Sequence, residues 1–506
     1  MSHFFSLILI STLLLSNDIP NFEDDFLQSL EEVSEIATKS KLNIDDAPAF
    51  VTVLNYEKLR KLGIDNIQEA LAQVPGVQLK REASGVPVII FRGVSQKGEV
   101  KLMLDGVTIN NTYRGSIFHF LDFPIELVER IEVIRGAGSV LYGSGAISGV
   151  INIITKSSNN SSSTLFVSGA THDNYKGGAI VSLNIDDVKI ALDTYYEKDQ
   201  KFIDSTDRHL KDYSVGVKIN NEHFALLARI KKSDVGNAYG ALSVPDSKTD
   251  KYNNVNDTLF TQLTYKNSLT NKSDIKILAG YKQYGQEIQG RYSTFGDIQT
   301  RYKEDAYYAQ IDFYSKIISY NEFLIGAKYE TAKVTQSEWI WESTIPSLPK
   351  YNVTPDSNRD TTSLYINDKY SINPDFDITA GIRYDNYSDF GDALSPTLAF
   401  VYRINPKWRI KSLYSQAYRV PSWVELTSNP NLKAETSNSY EVGVIYKDRK
   451  SSVVRFNIYR TEIHNLITKN TTYTQALDDS HFFGAELEYL FTPSQDLDLT
   501  LFASYV

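Results

Sequence analysis

The sequence predicts an all-β barrel spanning a membrane, with about seventeen strands, preceded by a compact α+β domain. Three observations point to it. From about residue 163 onward, apolar and polar residues alternate with period two in segment after segment. The links between those segments are by turns tight and long. The stretch before them has another texture, in which apolar residues at helical spacing are followed by several short strands.

Composition narrows the field first. The 506-residue chain carries a net charge of −10, which argues against non-specific nucleic-acid binding. It contains no cysteine, so disulfides, thiolate metal sites and cysteine nucleophiles are excluded. Beyond the first twenty residues nothing approaches the ~20 apolar residues of a membrane helix. "MSHFFSLILISTLLLSN" has the apolar run of an export signal, without a Lys or Arg before it or a clear small-x-small cleavage site. Residues 1–20 are expected to be that signal and 21–45 a periplasmic segment.

The α+β domain is expected over residues 46–157. "VTVLNYEKL" opens with a short strand. Ile67, Leu71 and Val74 then share one helical face, ended by Pro75-Gly76. The strands "VPVIIFRGV", "VKLMLDGVTI", "RIEVIRG" and "GVINIIT" follow. The glycine-rich run between the last two resembles a dinucleotide-binding turn only superficially. Leu141 stands where the third glycine of that turn belongs, and a β-branched strand follows in place of a helix.

The barrel is expected over residues 163–506. In "GAIVSLNIDDVKIALDTYYEKD", Ala179, Val181, Leu183 and Ile185 alternate with Ser182, Asn184 and Asp186, and the pattern resumes after the Asp186-Asp187 turn. "EFLIGAKYETA", "FDITAGIRYDNY" and "WRIKSLYSQAYR" repeat it. Tight links at 186–187, 220–223, 373–375, 405–407, 448–450 and 492–496 take turns with long polar ones. A soluble sandwich or solenoid has no reason to sort its links this way, and no fixed-length repeat is present. An outer-membrane barrel does, with short turns facing the periplasm and long loops facing outward. Lipid enforces the rest, since every backbone N–H and C=O must be paired within the strand ring.

The motifs resemble those of the TonB-dependent outer-membrane receptors over nearly the whole chain. "VPGVQL", "FRGV", "LMLDGVTIN" and "VERIEVIRGAGSVLYGSGAISGVINIITK" look like the family's plug domain in order and spacing. "AGIRYD", "YSQAYRVPSWVEL", "NPNLKAETSNSYEVGV" and "GAELEYLF" look like its barrel. Ala137 departs from the Pro common at that place. The resemblance implies a plug inside the barrel lumen, where glycines let strands pack closely. It also implies pairs between barrel carboxylates Glu441 and Glu486 and plug arginines Arg92 and Arg135, with Arg130 nearby. A mobile Ton box, which pairs as an added strand with the energy-transducing TonB partner, is expected in "EEVSEIAT": Glu31, Glu32, Val33, Ser34, Glu35, Ile36, Ala37 and Thr38.

Function follows from the same resemblance: a monomeric outer-membrane receptor, embedded in lipid, that imports a scarce metal chelate with energy from TonB. No catalytic apparatus, resident metal or cofactor is expected, and Gly143-Ser144-Gly145 does not complete a nucleophile elbow. A ferric siderophore is the expected cargo, with cobalamin or haem as alternatives. A barrel enzyme or adhesin is the alternative of another class, and a plug argues against it. Candidate ligand-binding residues are Tyr113, Arg114, Tyr239, Arg291, Tyr292, Trp339, Trp341 and Trp423, because Arg attracts anionic chelates and aromatic faces hold catecholates. "YRVP" and "NPNL" resemble a haem-receptor pair, but the intervening 422–428 holds no His, which leaves His119 with a loop His as possible axial ligands. The family's barrels have about 22 strands, so the sequence is expected to be a fragment lacking the last strands.

Overall fold

A computed structural model gives the fold. It describes residues 33–506 except 82–86, 96–97, 116, 159–161, 172, 201–208, 237–252, 293–295, 343–356, 449–451, 470–472, 477 and 495–496. The expected export signal, Glu31, Glu32 and Tyr239 fall outside the described residues.

The N-terminal module is built from short strands: β1 (Val33–Ser34), β2 (Leu42–Asn43), β3 (Phe50–Asn55), β4 (Val77–Arg81), β5 (Pro87–Phe91), β6 (Val94–Ser95), β7 (Val100–Leu104), β8 (Val107–Thr108), β9 (Val128–Arg135) and β10 (Gly149–Thr155). Its main sheet runs β3-β9-β10-β7-β8, with β7 and β10 parallel and the other neighbours antiparallel. β4, β5 and β6 form a second small sheet, and β1 pairs with β2. Helices α1 (Tyr56–Lys61) and α2 (Ile67–Leu71) cover the main sheet. The Asn66 side chain accepts the Glu69 N–H at 3.0 Å and so starts α2. Ile67, Leu71 and Val74 are fully buried, as their shared helical face requires. A third short helix, α3 (Ser139–Tyr142), fills the glycine-rich turn between β9 and β10.

Among the described residues, most of the rest of the chain is one sheet of seventeen antiparallel strands in sequence order, from Thr164–Ala170 to Leu497–Tyr505, with a small separate hairpin of Ile467–Lys469 and Tyr473–Gln475 beside it. Its burial pattern is inverted relative to a soluble sheet. In the strand Phe224–Gly236, Arg229, Lys231 and Ser233 are at most 2% exposed while Ile230 is 51% exposed. Charged and polar residues face inward and apolar ones face out, as a lipid-facing wall demands. The inward charges neutralise one another: Arg229 pairs with Asp193 at 2.7 Å and Lys231 with Asp212 at 2.5 Å.

The sheet wraps the N-terminal module. Asp65 and Glu126 meet Lys176, Asp105 meets Lys218 at 2.6 Å, and Lys39 meets Asp312 at 3.3 Å. Asp46 is held by Arg403 and Arg409, and Asp45 by Arg455, so contacts come from strands all round the wall. The N-terminal module is a plug. Leu102, Leu104, Ile131, Val133, Ile151 and Ile153 are no more than 1% exposed, and their cluster extends onto the wall through Ile180, Tyr195, Leu227 and Phe260.

Candidate functional site: the plug–barrel junction

The plug's second sheet places one arginine against the wall. β4 and β5 are antiparallel, Val77 opposite Phe91, and just past that pair the Arg92 N–H donates to the Gly76 carbonyl at 2.8 Å. Arg92 sits at φ +49°, a conformation disfavoured for a residue with a Cβ. Its guanidinium is thereby fixed between two barrel carboxylates. Nη1 lies 3.0 Å from Glu441 Oε2, while Nε and Nη2 donate to Glu486 at 2.8 and 3.1 Å. Arg135, at the end of β9, donates to the same Glu486 at 2.8 Å. Tyr459, on the intervening strand Ser452–His464, puts its ring 4.1 Å from the Arg92 guanidinium, and Asn457 donates to Glu441 at 3.1 Å.

All four charged residues are at most 4% exposed. Two cations and two anions, sharing hydrogen bonds, balance in charge, which is what makes burial tolerable. Two glycines make room for the carboxylates. A Cβ on Gly76 (φ +79°) would collide with Glu486, and one on Gly136 (φ +102°) with Glu441. Bare backbone at "VPG" and "IRG" is therefore the counterpart of "EVG" and "ELE" on the wall.

Arg130 does not join this group. It pairs with Glu132 at 2.8 Å and Glu129 at 2.7 Å, both in the plug. The reason is strand parity. Along β9, Arg130, Glu132 and Ile134 face one way and Ile131, Val133 and Arg135 the other.

The described part of the expected Ton-box segment, Val33 to Thr38, packs against the plug in this structure. Ile36 and Ala37 are 1% and 8% exposed, in a cluster with Ile44, Val51, Met103 and Ile134. The Glu132 carboxylate accepts from Ser34 Oγ and the Ile36 N–H, each at 3.0 Å, and Tyr142 O–H donates to the Ile36 carbonyl at 2.7 Å. Two apolar side chains and one buried carboxylate outweigh the polar composition that suggested a loose linker.

At the opposite end, near the long loops, Tyr113 stacks on Tyr302 with ring centroids 3.8 Å apart. It clusters with Tyr284 and Trp423, and Tyr113 and Trp423 are 4% and 3% exposed. These two candidates form a packed floor. Arg114 beside them is exposed. Arg291 and Tyr292 end the strand Ser273–Tyr292, and Trp339 and Trp341 lie near the end of Asn321–Glu342; their side chains lie outside the described set.

"YRVP" has a structural explanation. Arg419 binds Glu425 at 2.8 Å and Glu435 at 2.5 Å, tying α4 (Trp423–Ser428) to the "KAET" strand. Haem ligation through His119 is not supported by its position. It is 3% exposed, its Nε2 lies 3.2 Å from Thr258, and Phe120 and Tyr284 lie against its ring.

Sequence reasoning missed the tethers at the turn end, where Asp45 meets Arg455 at 2.9 Å and Asp46 meets Arg403 at 2.8 Å and Arg409 at 3.1 Å. The inward parity of Arg403, Arg409 and Arg455 was the available signal. Among the described residues no group of three His, Asp or Glu side chains could hold a metal.

Residues 165–506 match the family model described as "TonB dependent receptor-like, beta-barrel", and residues 43–150 match "TonB-dependent Receptor Plug Domain". The vitamin B12 transporter BtuB of Vibrio vulnificus is 23% identical over 87% of this chain and 71% of its own. The iron-regulated outer membrane virulence protein of Vibrio cholerae is 23% identical over 91% of this chain and 76% of its own. Among solved structures, the siderophore receptor PirA of Acinetobacter baumannii superposes with a TM-score of 0.71 at 19% identity, covering 90% of this chain and 80% of that one. FpvA of P. aeruginosa, solved with a ferric pyoverdine, gives 0.75 at 16%, covering 94% and 72%.

Proposed function

Because the chain belongs to the TonB-dependent receptors, proteins of the outer membrane and not enzymes, we propose that it binds a ferric siderophore at its loop end and imports it with energy from TonB. The observation that carries this reading is the plug held inside the wall by the buried Arg92–Glu441–Glu486–Arg135 cluster. Side-chain pairs hold such a plug firmly and still permit it to shift, which a continuous backbone ladder would not. Val33–Thr38 is the segment TonB would take up as an added strand once it leaves Glu132. The same proposal covers the partition into export signal (1–20), periplasmic segment (21–45), plug (46–157) and barrel (163–506), and a monomer in lipid.

The siderophore is favoured by the exposed Arg114 beside the aromatic floor of Tyr113 and Trp423, a setting for anionic, aromatic chelates. A cobalamin cargo is the second reading, favoured by the B12 transporters among the relatives. The test is growth of a receptor-deficient strain carrying this gene under iron limitation, with single ferric chelates as iron source, beside growth that depends on cobalamin. Rescue by a chelate, abolished when TonB is deleted, is the expected result. Rescue by cobalamin alone would shift the assignment to the second reading.

A further inference from the structure

Three cavities lie between plug and wall on one side of the barrel. The first, about 150 Å³, is at the loop end and includes Lys101, Arg359 and Arg419. The second, about 420 Å³, lies in mid-lumen and shares Lys282, Lys328, Glu330 and Arg383 with the first. The third, about 770 Å³, opens at the tight turns and shares Lys39, Lys266 and Lys276 with the second. The shared lining residues set them in a row from loops to turns.

The charge along this run opposes that of the whole molecule. Fifteen Lys and Arg side chains line it against eight Asp and Glu, in a chain of net charge −10. Many are paired, but five lysines, Lys41, Lys101, Lys266, Lys272 and Lys276, have no carboxylate within ion-pair distance among the described residues. Lys266 and Lys276 stand directly opposite each other on neighbouring strands, and like charges in that register repel. Lys101, 9% exposed, donates to the Tyr142 carbonyl at 2.6 Å; burial, then Lys328 and Arg383, hold it down to about 7. It is thus only partly charged at neutral pH, and the cationic character rests on the lysines nearer the turns. An excess of cations lining a polar cavity attracts anions.

The Val33–Asn43 hairpin stands between the second and third cavities, with Glu35 and Lys39 lining both. Lys39 Nζ binds Asp312 and, at 2.8 Å, the Tyr365 hydroxyl, while Tyr314 donates to the Lys39 carbonyl at 2.9 Å. Resting on the receptor reading, we propose that this side of the lumen is an anion path stoppered by the hairpin. The ligand that passes it carries net negative charge on carboxylate, catecholate or phosphate oxygens.

The test needs neither cargo nor TonB. The full chain is reconstituted in a planar lipid bilayer under a KCl gradient, with Glu132→Gln and Tyr142→Phe together freeing the hairpin. The reversal potential is expected to show chloride preferred over potassium about tenfold. Adding Lys266→Gln and Lys276→Gln should bring the ratio towards unity without lowering the unfolding temperature, since the pair repels. Potassium preference, no conductance, or chloride preference untouched by the double substitution each overturns the path. In cells, ferric citrate (anionic) should enter faster than an uncharged ferric trihydroxamate, and the double substitution should slow the citrate complex selectively. Equal rates would overturn the ligand class. Chloride selectivity without uptake of any chelate would sink the receptor reading and leave the path standing.

Discussion

Arg92 combines a disfavoured backbone angle, two carboxylate partners and near-complete burial. Removing it strands Glu441 and Glu486 in the interior with only Arg135 to share, and a buried pair broken on one side costs about 3–5 kcal/mol. Arg92→Ala should therefore lower the plug's unfolding temperature markedly in detergent, followed by trypsin sensitivity. Arg130→Ala should cost under about 1 kcal/mol, because that side chain is 22% exposed and pairs within its own strand. His119 supplies a pH dependence. Burial, then Lys231, pushes its imidazole from 6.5 down to about 3. The unfolded chain thus takes up a proton that the folded one refuses between those values. The stability is fully present above 6.5 and is lost as pH falls towards 3, by up to about 1.4 kcal/mol per pH unit. Unfolding temperatures measured from pH 7 to 4 should decline less steeply in His119→Gln.

At the scale of elements, β9 shows what the sequence made legible and what it hid. Alternation was readable, so about seventeen wall strands followed from it. Short apolar runs marked part of the plug's strands but not Val33–Ser34, Leu42–Asn43 or Val77–Arg81, and the family motifs singled out Arg92, Arg135, Glu441 and Glu486. The parity that sends Arg130 to the hairpin side was readable in principle, two residues from Glu132, but a charge near a motif drew it to the wrong group. Asp45 and Arg455 stand 410 residues apart, and no local pattern reports such a pair. The hairpin was hidden for another reason: its polar residues look like a linker, whereas Ile36 and the Glu132 carboxylate decide its state. Glu132→Ala removes the acceptor of Ser34 and Ile36. It should make the 33–43 segment cleavable by added protease at least about tenfold faster, as the free energy of local opening falls by the worth of charge-assisted bonds. Unchanged cleavage would mean that Tyr142 and the apolar cluster suffice.

For the whole molecule, two kinds of cohesion coexist. The wall is a ladder of backbone hydrogen bonds in a solvent that offers no substitute partners. The plug meets it instead through side-chain charges, apolar contacts and a few isolated backbone bonds, such as Gly145 N–H to the Tyr418 carbonyl. Urea titration in detergent micelles should accordingly resolve two transitions. Plug cleavage sites would be exposed first, and the β signal in circular dichroism would be lost at higher denaturant. A single coincident transition would show that plug and wall stabilise each other as one unit.

The strand order β3-β9-β10-β7-β8 also dictates a sequence of assembly. β10 lies at the middle of that sheet, yet it is the last of the plug strands to be synthesised or threaded across a membrane. Until residues 149–155 arrive, β3 with β9 and β7 with β8 are two separate scraps with no seam between them. The keystone is laid last, immediately before the first wall strand begins at Thr164, so the stopper can reach its final form only as its casing starts to appear.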